Sequence, residues 1–287
     1  MIKKILAKVY VYLILFLLYL PILFLIIYSF TPAETTGVWE GFSFELYGRV
    51  FLNEKIMRAL LNTLIIALSS ATVATILGTL GAIGVFYMKK RPQRIMEGIN
   101  EIPVVNAEIV VAISLAILFR VFANFLEARG VATNSPNFVT LLIGHVVLSI
   151  SFVYLNVKPK LQQMDPNDYE AALDLGAKPM YAIRKVVLPA IVPGIISGFM
   201  LAFTLSLDDF IITNFLRNQS FDTLSTYVQG VIVRAAIPAE MRALTTYIVL
   251  VTLAVVLVSG IKRESRSSRK AMLRAQKREV LTINKSS

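Results

Sequence analysis

Long apolar runs alternate with short polar segments along most of the chain. A bilayer core about 30 Å thick needs roughly 20 consecutive apolar residues in a helix, and backbone polar groups in lipid must pair within that helix. The pattern therefore predicts an all-α membrane protein with about six transmembrane helices. The predicted spans are Val9–Phe30, Leu60–Tyr87, a third that begins between Arg94 and Ile102 and ends near Phe122, Val139–Val157, a fifth that starts after Pro189 and reaches Phe215, and Leu244–Ile261.

The composition agrees with a membrane protein and removes several other classes. Hydrophobic residues make up 56% of the 287 residues and the mean hydropathy is +0.69, both above the values of soluble domains. The chain has no cysteine, which excludes a disulfide, a thiolate nucleophile and a cysteine-ligated metal site. The basic residues lie between and after the apolar runs and form no single basic face, so we expect no nucleic-acid partner.

Lysine and arginine also indicate how the chain crosses the membrane. Of the 29 basic residues, 21 fall in the N-terminus, the second-to-third loop, the fourth-to-fifth loop and the C-terminal tail, and eight fall in the other loops. The positive-inside rule then places both termini in the cytoplasm. The first apolar run, about 22 residues long, exceeds a signal-peptide core and lacks a small-residue cleavage site, so we expect a retained helix.

These features divide the chain into three parts. Residues 1–58 hold the first transmembrane helix and an extracytoplasmic segment, and residues 59–260 form a transmembrane core with a cytoplasmic loop at 158–189. Residues 261–287 form a basic cytoplasmic tail, either a solvated segment or a helix on the lipid surface. Small residues at helical spacing predict close helix packing in the second and fifth spans. They are Gly78, Gly81, Gly84, Gly194, Ser197 and Gly198.

The residues that enzymes need are missing. There is no phosphate-binding loop of the G-x-x-x-x-G-K-[ST] type, and the single histidine, His145, has no neighbour at metal-ligand spacing. Asp208 and Asp209 are adjacent, which does not fit the separated acids of an intramembrane aspartyl protease. We therefore expect no catalytic residue and no metal site, and we expect His145 to be packed or to line a pore.

Three acids lie within the predicted spans. A carboxylate at the centre of a membrane helix costs about 2.5–3.5 kcal/mol on insertion scales, so such acids tend to face a cavity and mark a pathway. Asp208 and Asp209 lie toward the outer end of the fifth span, where they line a pathway or, alternatively, have a structural or gating role. Ser206 is a weaker candidate, and Glu108 lies at mid-membrane or nearer the cytoplasm. Alternatively, Asn106 caps a helix that restarts after Pro103, with Glu108 in its first turn.

The loop at 158–189 has the composition of a folded helix. Asp165-Pro166 is a helix-start signal, residues 168–175 favour a helix, and Gly176 is suited to end it in the left-handed conformation. A second helical piece from Lys178 to Val187 leads into the fifth span. An ordered cytoplasmic helix that exposes small residues fits a cleft on another protein.

The same loop resembles the E-A-A loop of binding-protein-dependent ABC importer permeases. Glu170-Ala171-Ala172, three residues, Gly176, nine residues, Val186, one residue and Leu188-Pro189 match it, with Val186 in the place of isoleucine. The resemblance implies a type I ABC importer transmembrane domain whose coupling helix docks on an ATPase subunit. Glu170, Ala171, Ala172 and Gly176 would be the coupling residues.

The resemblance extends from Leu60 to Gly260, and the segments that contain the acids point to a more specific family. Residues 107–115 and 202–210 are similar to the third and fifth spans of spermidine/putrescine permeases, above all the second permease subunit of that system. It implies a multi-pass protein of the bacterial cell membrane that takes a polyamine substrate. The implied partners are membrane lipid, a second homologous permease, two ATP-binding subunits that hold ATP and magnesium, and an extracytoplasmic substrate-binding protein.

Two alternatives stay open on the sequence alone. The first keeps the importer mechanism with another small solute, because related permeases share the E-A-A loop. The second is an ion-coupled secondary carrier that uses the buried acids as a proton relay. The E-A-A loop argues against the carrier, because such a protein has no use for an ATPase socket. The sequence does not separate spermidine from putrescine.

Overall fold

A computed structural model describes residues 2–253 apart from 36, 132–134 and 235–237. The chain divides into two compact units, Met1–Asn53 with Ala235–Ser287, and Glu54–Arg234. The described residues form helices and connecting turns. In chain order the helices are α1 (Ile2–Tyr28), α2 (Glu45–Leu52), α3 (Glu54–Phe86), α4 (Lys90–Val105), α5 (Glu108–Glu127), α6 (Phe138–Gln163), α7 (Pro166–Asp174), α8 (Pro179–Ala182), α9 (Leu188–Asp208), α10 (Ile211–Leu216), α11 (Leu224–Arg234) and α12 (240–253).

Five helical segments are long and apolar enough to cross a membrane. They are Lys8–Tyr28, Glu54–Phe86, Glu108–Glu127, Phe138–Gln163 and Pro179–Asp208. The predicted all-α membrane fold is thereby confirmed for the described part of the chain. Of the predicted sixth span, residues 244–253 are helical, whereas 254–261 and the basic tail lie outside the described residues.

The third predicted span consists of two helices with a break at Asn106 and Ala107. The backbone N–H and the side-chain amide of Asn106 both donate to the Ile102 carbonyl, at 3.1 and 2.9 Å. Asn106 therefore closes the end of α4, and the prediction that it caps the next helix is wrong. Ala107 precedes α5, and Glu108 lies in the first turn, as that alternative required.

The core of the larger unit is formed by α3, α6 and α9, which meet along small residues. Val153 of α6 lies at the centre, because Cβ atoms added to Gly78 or Gly198 would lie 2.9 or 3.2 Å from its atoms. A Cβ on Gly194 would lie 2.9 Å from the carbonyl oxygen of Asn156. These glycines are packing positions, as predicted. Gly81 and Gly84 are exposed with nothing near them in the described chain, so their predicted packing role stays a prediction.

The predicted cytoplasmic helix is α7, and its ends are set by local signals. The Asp165 carboxylate accepts the Asn167 N–H at 3.0 Å, and Pro166 occupies the first turn. Gly176 has φ of +85°, and its N–H donates to the Leu173 carbonyl at 2.8 Å. The Ala177 N–H donates to the Ala172 carbonyl at 3.1 Å, which completes a Schellman motif. The predicted start and stop of this helix are confirmed.

The second helical piece of the loop runs into the fifth span without a break. After α8 the chain widens into one π-helical stretch, Ile183–Val187, in which the Leu188 N–H donates to the Ile183 carbonyl. The next residue, Pro189, has no N–H to continue the regular pattern. The π-helical stretch therefore accommodates the missing N–H of Pro189, and α9 continues as a regular helix.

The smaller unit carries an aromatic cluster next to a charged one. Phe30 stacks on Phe42 at 5.3 Å between ring centroids, and Tyr47 contacts Tyr247 edge-on at 5.2 Å. Arg49 pairs with Glu34 at 2.9 Å and with Glu240 at 3.2 Å. The buried Arg242 guanidinium donates to the Ala33 carbonyl. These contacts order residues 29–53, the segment that follows the first span.

The glycines of α3 provide a matched test of this packing. Gly78→Ala forces a methyl group against Val153 and the Ile150 carbonyl, whereas Gly81→Ala adds it to open space. Overpacking costs about 1–3 kcal/mol, while alanine in a helix gains about 1 kcal/mol over glycine. We expect Gly78→Ala to lower the Tm of the purified protein in detergent and Gly81→Ala to leave it equal or higher. Equal Tm values for the two variants would contradict the α3–α6 packing.

Candidate functional site

The two breaks in the membrane spans meet at one cavity of about 530 Å³. Residues from the α4–α5 break, from α6 and from the end of α9 line it. They are Pro103, Val104, Asn106, Glu108, Leu148, Phe152, Leu205, Asp208, Asp209, Phe210 and Ile211. Leu148 and Phe152 lie near the middle of α6, so the cavity lies well inside the span. It is the place where backbone leaves helical geometry within the membrane, which is tolerated only around protein or a cavity.

All three predicted acids lie at this cavity. Glu108 interacts most strongly with the carboxyl of Asp209 and more weakly with that of Asp208. The α4–α5 break therefore brings Glu108 level with the acid pair. Carboxylates so close repel one another unless a cation or a proton lies between them. The cavity thus has the charge of a cation site and apolar walls beside it.

Asp209 occupies the break in the fifth span. Helix α9 ends at Asp208, and Asp209 takes an extended conformation with ψ of 124°. Its carboxylate accepts the N–H groups of Ile212 at 3.1 Å and Thr213 at 2.8 Å, and the Thr213 hydroxyl at 2.7 Å. An acid in this position satisfies free N–H donors and complements the positive end of α10. Asp209 is buried, and its two carboxyl oxygens are occupied by these three donors.

Asp208 has the opposite environment. It is exposed at the cavity and makes no hydrogen bond or ion pair with any residue in the described part of the chain. On a regular helix two consecutive side chains would diverge by about 100°. The break separates them further, since the Asp209 carboxylate is held by protein donors and the Asp208 carboxylate is not.

Ser206 lies behind the cavity rather than on its wall. Its buried hydroxyl is 3.0 Å from the Ser70 hydroxyl and 2.7 Å from Nδ1 of His145. His145 is also buried, and its Nε2 lies 3.0 Å from the Thr213 hydroxyl. Sequence analysis did not select Ser70 or Thr213. A threonine four residues after Asp209 was the available signal, because that spacing suits a side chain that bonds back to the acid.

The predicted coupling residues lie on α7 and, in the case of Gly176, just after it, and none of them lines the cavity. Glu170, Ala171 and Gly176 are exposed and Ala172 is half-buried. Nearby apolar side chains are also uncovered, with Leu175 89% exposed and Met180 75% exposed. The ring of Tyr169 packs 4.9 Å from Tyr87, which ties α7 to the residue after α3. Burial raises the pKa of the Tyr87 phenol above its ordinary value. No group of three or more histidine or acidic residues in the described chain is placed to hold a metal ion.

Most of the chain matches a known protein family. Residues 74–263 match the family described as binding-protein-dependent transport system inner membrane component. The chain belongs to this family. It is thus a membrane-embedded permease subunit of a transport system, and the resemblance inferred from the E-A-A loop is confirmed.

Curated relatives cover most of the chain. It is 34% identical over 242 residues to the spermidine/putrescine transport system permease protein PotC of Haemophilus influenzae, covering 84% of this chain and 90% of that protein. Identity to PotC of Escherichia coli K12 is 31%, covering 84% and 88%. Identity to the putrescine transport system permease protein PotI of the same strain is 35%, covering 80% and 81%. The resemblance to polyamine permeases is therefore confirmed.

Solved structures confirm the predicted fold class. A bacterial ABC transporter involved in the import of the acidic polysaccharide alginate has a chain that superposes with a TM-score of 0.69 at 20% identity, covering 87% of this chain and 92% of that one. The same kind of transporter in complex with an alginate pentasaccharide-bound periplasmic protein gives a TM-score of 0.72 at 21% identity, covering 89% and 92%. At these identities the likeness shows the shared fold.

Proposed function

We propose that this chain is a permease subunit of an ATP-driven polyamine importer for spermidine or putrescine. It works with a second homologous permease, two ATP-binding subunits and an extracytoplasmic substrate-binding protein. The ATP-binding subunits hold ATP and magnesium, while this chain hydrolyses nothing and forms part of the solute path. The observation that carries the proposal is the free Asp208 carboxylate beside Glu108 in a cavity within the membrane.

The cavity suits the chemistry of a polyamine. Such a solute is a chain of ammonium groups joined by methylenes, so it needs carboxylates at intervals and apolar walls between them. Asp208 and Glu108 supply the carboxylates, and Leu148, Phe152 and Leu205 supply apolar surface. The acids take the place of the water around an ammonium group. The bound cation in turn lowers the cost of burying the acids. The names of the curated relatives support the same substrate class.

The same importer mechanism with another small solute is the alternative. The structural neighbours named for alginate import show that this fold does not by itself select a cation. Three acids at one cavity oppose an anionic solute, which narrows the alternative to other cations. An ion-coupled carrier fits poorly, because the chain belongs to a family of binding-protein-dependent systems.

We also propose that both termini and α7 lie in the cytoplasm. The 21-to-8 distribution of basic residues supports this orientation. It places the exposed surface around Glu170, Ala171, Leu175 and Met180 where an ATP-binding subunit could cover it. The Schellman stop at Gly176 fixes the end of this helix and so the direction of the apolar side chains after it.

The orientation and the coupling role lead to a matched test. Ala171→Trp places a bulky ring on the exposed face of α7, and Ala128→Trp places the same ring on an exposed residue after α5. Because interface hot spots cost 2 kcal/mol or more, we expect Ala171→Trp to reduce recovered ATPase by about tenfold or more on purification from membranes. Ala128→Trp should leave recovery unchanged. Normal ATPase recovery and uptake with Ala171→Trp would show that α7 is not the docking element.

The acids lead to the test of the solute. Asp208→Asn and Glu108→Gln each remove a charge from the cavity and keep the size of the side chain. A hydrogen bond to a charged group contributes about 1.5–3 kcal/mol, so polyamine uptake should fall about tenfold or more with the complex intact. Asp209→Asn should mainly lower the Tm of the complex, because that carboxylate holds the start of α10.

Uptake is measured with the reconstituted complex, and complex yield is the control. A panel of competing cations and neutral amides in the same assay separates polyamines from other solutes. If the double variant Asp208→Asn, Glu108→Gln assembles and still transports a polyamine at the parental rate, the cavity acids do not select the substrate.

A further inference from the structure

A line of buried hydrogen bonds crosses the larger unit behind the cavity. It runs from Ser70 of α3 to Ser206 of α9, then to His145 of α6, Thr213 of α10 and Asp209. Each of these residues is at most 7% exposed. The line therefore joins four helices through buried polar atoms and reaches the cavity at Asp209, where α9 ends.

With Asp209 ionised and His145 neutral, one assignment of protons satisfies every bond along this line. The Asp209 carboxylate only accepts, and Thr213 donates its hydroxyl proton to Oδ2 at 2.7 Å. The Thr213 oxygen can then accept, so Nε2 of His145 is the donor at 3.0 Å, with Oδ2 of Asp209 itself 3.4 Å away. Nδ1 carries no proton and accepts the Ser206 hydroxyl at 2.7 Å. The Ser70 hydroxyl proton is shared between Ser206 and the Ala67 carbonyl.

We propose that His145 is a positioning residue for the solute path and is held as the neutral Nε2–H tautomer. It donates toward Thr213 and Asp209 and keeps the Asp209 carboxylate turned into the protein. Asp209 also lines the cavity, but Asp208 and Glu108 are then the acids there that lack such N–H and O–H donors in the described chain. The assignment rests on the proposed import function, but the tautomer does not depend on which solute is carried.

The packing around His145 supports this role. The residue before it, Gly144, is in contact with α10, and an added Cβ would overlap Leu216 and Ile212. The glycine therefore lets α6 and α10 approach closely enough for the imidazole to reach Thr213. On the other side of the break, the Ser225 hydroxyl donates to the Asp209 carbonyl at 2.6 Å. Both backbone and side chain of Asp209 are thus held, and His145 is the link to α6 and α9.

Removal of the imidazole should act through the charge of Asp209. In His145→Phe the Thr213 hydroxyl loses its donor, and a buried carboxylate loses support from α6. We expect polyamine uptake to fall about tenfold, the effect of losing a hydrogen bond to a charged network. Adding Asp209→Asn to His145→Phe removes the charge that needed support, so the double variant should transport better than His145→Phe. A residue that only fills space would show no such rescue.

Thr213 supplies a conservative pair in the same line. Thr213→Val keeps the shape and removes the hydroxyl, whereas Thr213→Ser keeps the hydroxyl. We expect Thr213→Val to lose uptake as His145→Phe does and Thr213→Ser to stay near the parental rate. This pair decides the question if His145→Phe fails to assemble, because equal uptake by the two Thr213 variants would overturn the proposal.

A spectroscopic measurement identifies the tautomer of His145 directly. The chain has one histidine, so the ¹⁵N-histidine spectrum of the complex minus that of the His145→Phe or His145→Gln complex isolates the two ring nitrogens of His145. The expected result is a protonated Nε2 and a bare Nδ1. A proton on Nδ1, parental uptake by His145→Phe, or a double variant no better than the single one would each overturn the proposal. Absence of polyamine uptake by the parental complex would instead remove the proposed substrate and leave the spectrum to decide the tautomer.

Discussion

The Asp209 carboxylate holds the start of α10, where the backbone leaves helical geometry inside a membrane-spanning segment. In lipid every backbone polar group needs a partner, and a broken helix has free N–H groups that water cannot reach. Asp209 accepts two of these N–H groups and the Thr213 hydroxyl. The cavity, the placement of the other acids and the line of hydrogen bonds through His145 all depend on this one break being stable.

The break gives two consecutive acids different roles. Asp209 is held by N–H and O–H donors, so it maintains the structure at a point where buried polar groups without partners would be costly. Asp208 ends α9 and stays uncovered beside Glu108, which the separate break between α4 and α5 brings to the same level. The packed core of α3, α6 and α9 lies beneath these breaks, and the close approaches at Gly78, Gly194 and Gly198 keep it rigid. Closely packed helices around a helix break with polar side chains can hold carboxyl groups in place for a charged solute.

The sequence predicted those features that depend on residues close together along the chain. Asp165-Pro166 and Gly176 set the ends of α7 because a cap and a left-handed residue act within one turn. The break at Asp209 was not predicted, because the next three residues are apolar and residues 210–216 contain no glycine or proline to mark an end. Gly78 and Gly81 are equivalent in sequence, and only the packing of α6 makes the first a contact and leaves the second open. The line through His145 depends on residues up to 143 positions apart, which no local pattern contains.

The different roles of the two acids can be measured on the unaltered protein. In the intact complex, a water-soluble carbodiimide with a small amine converts accessible carboxyl groups to amides, and tandem mass spectrometry distinguishes Asp208 from Asp209 because fragments end between them. The account predicts that Asp208 and Glu108 are modified, that a polyamine protects both, and that Asp209 stays unmodified until the protein unfolds. Modification of Asp209 as readily as Asp208 in the folded complex would contradict it.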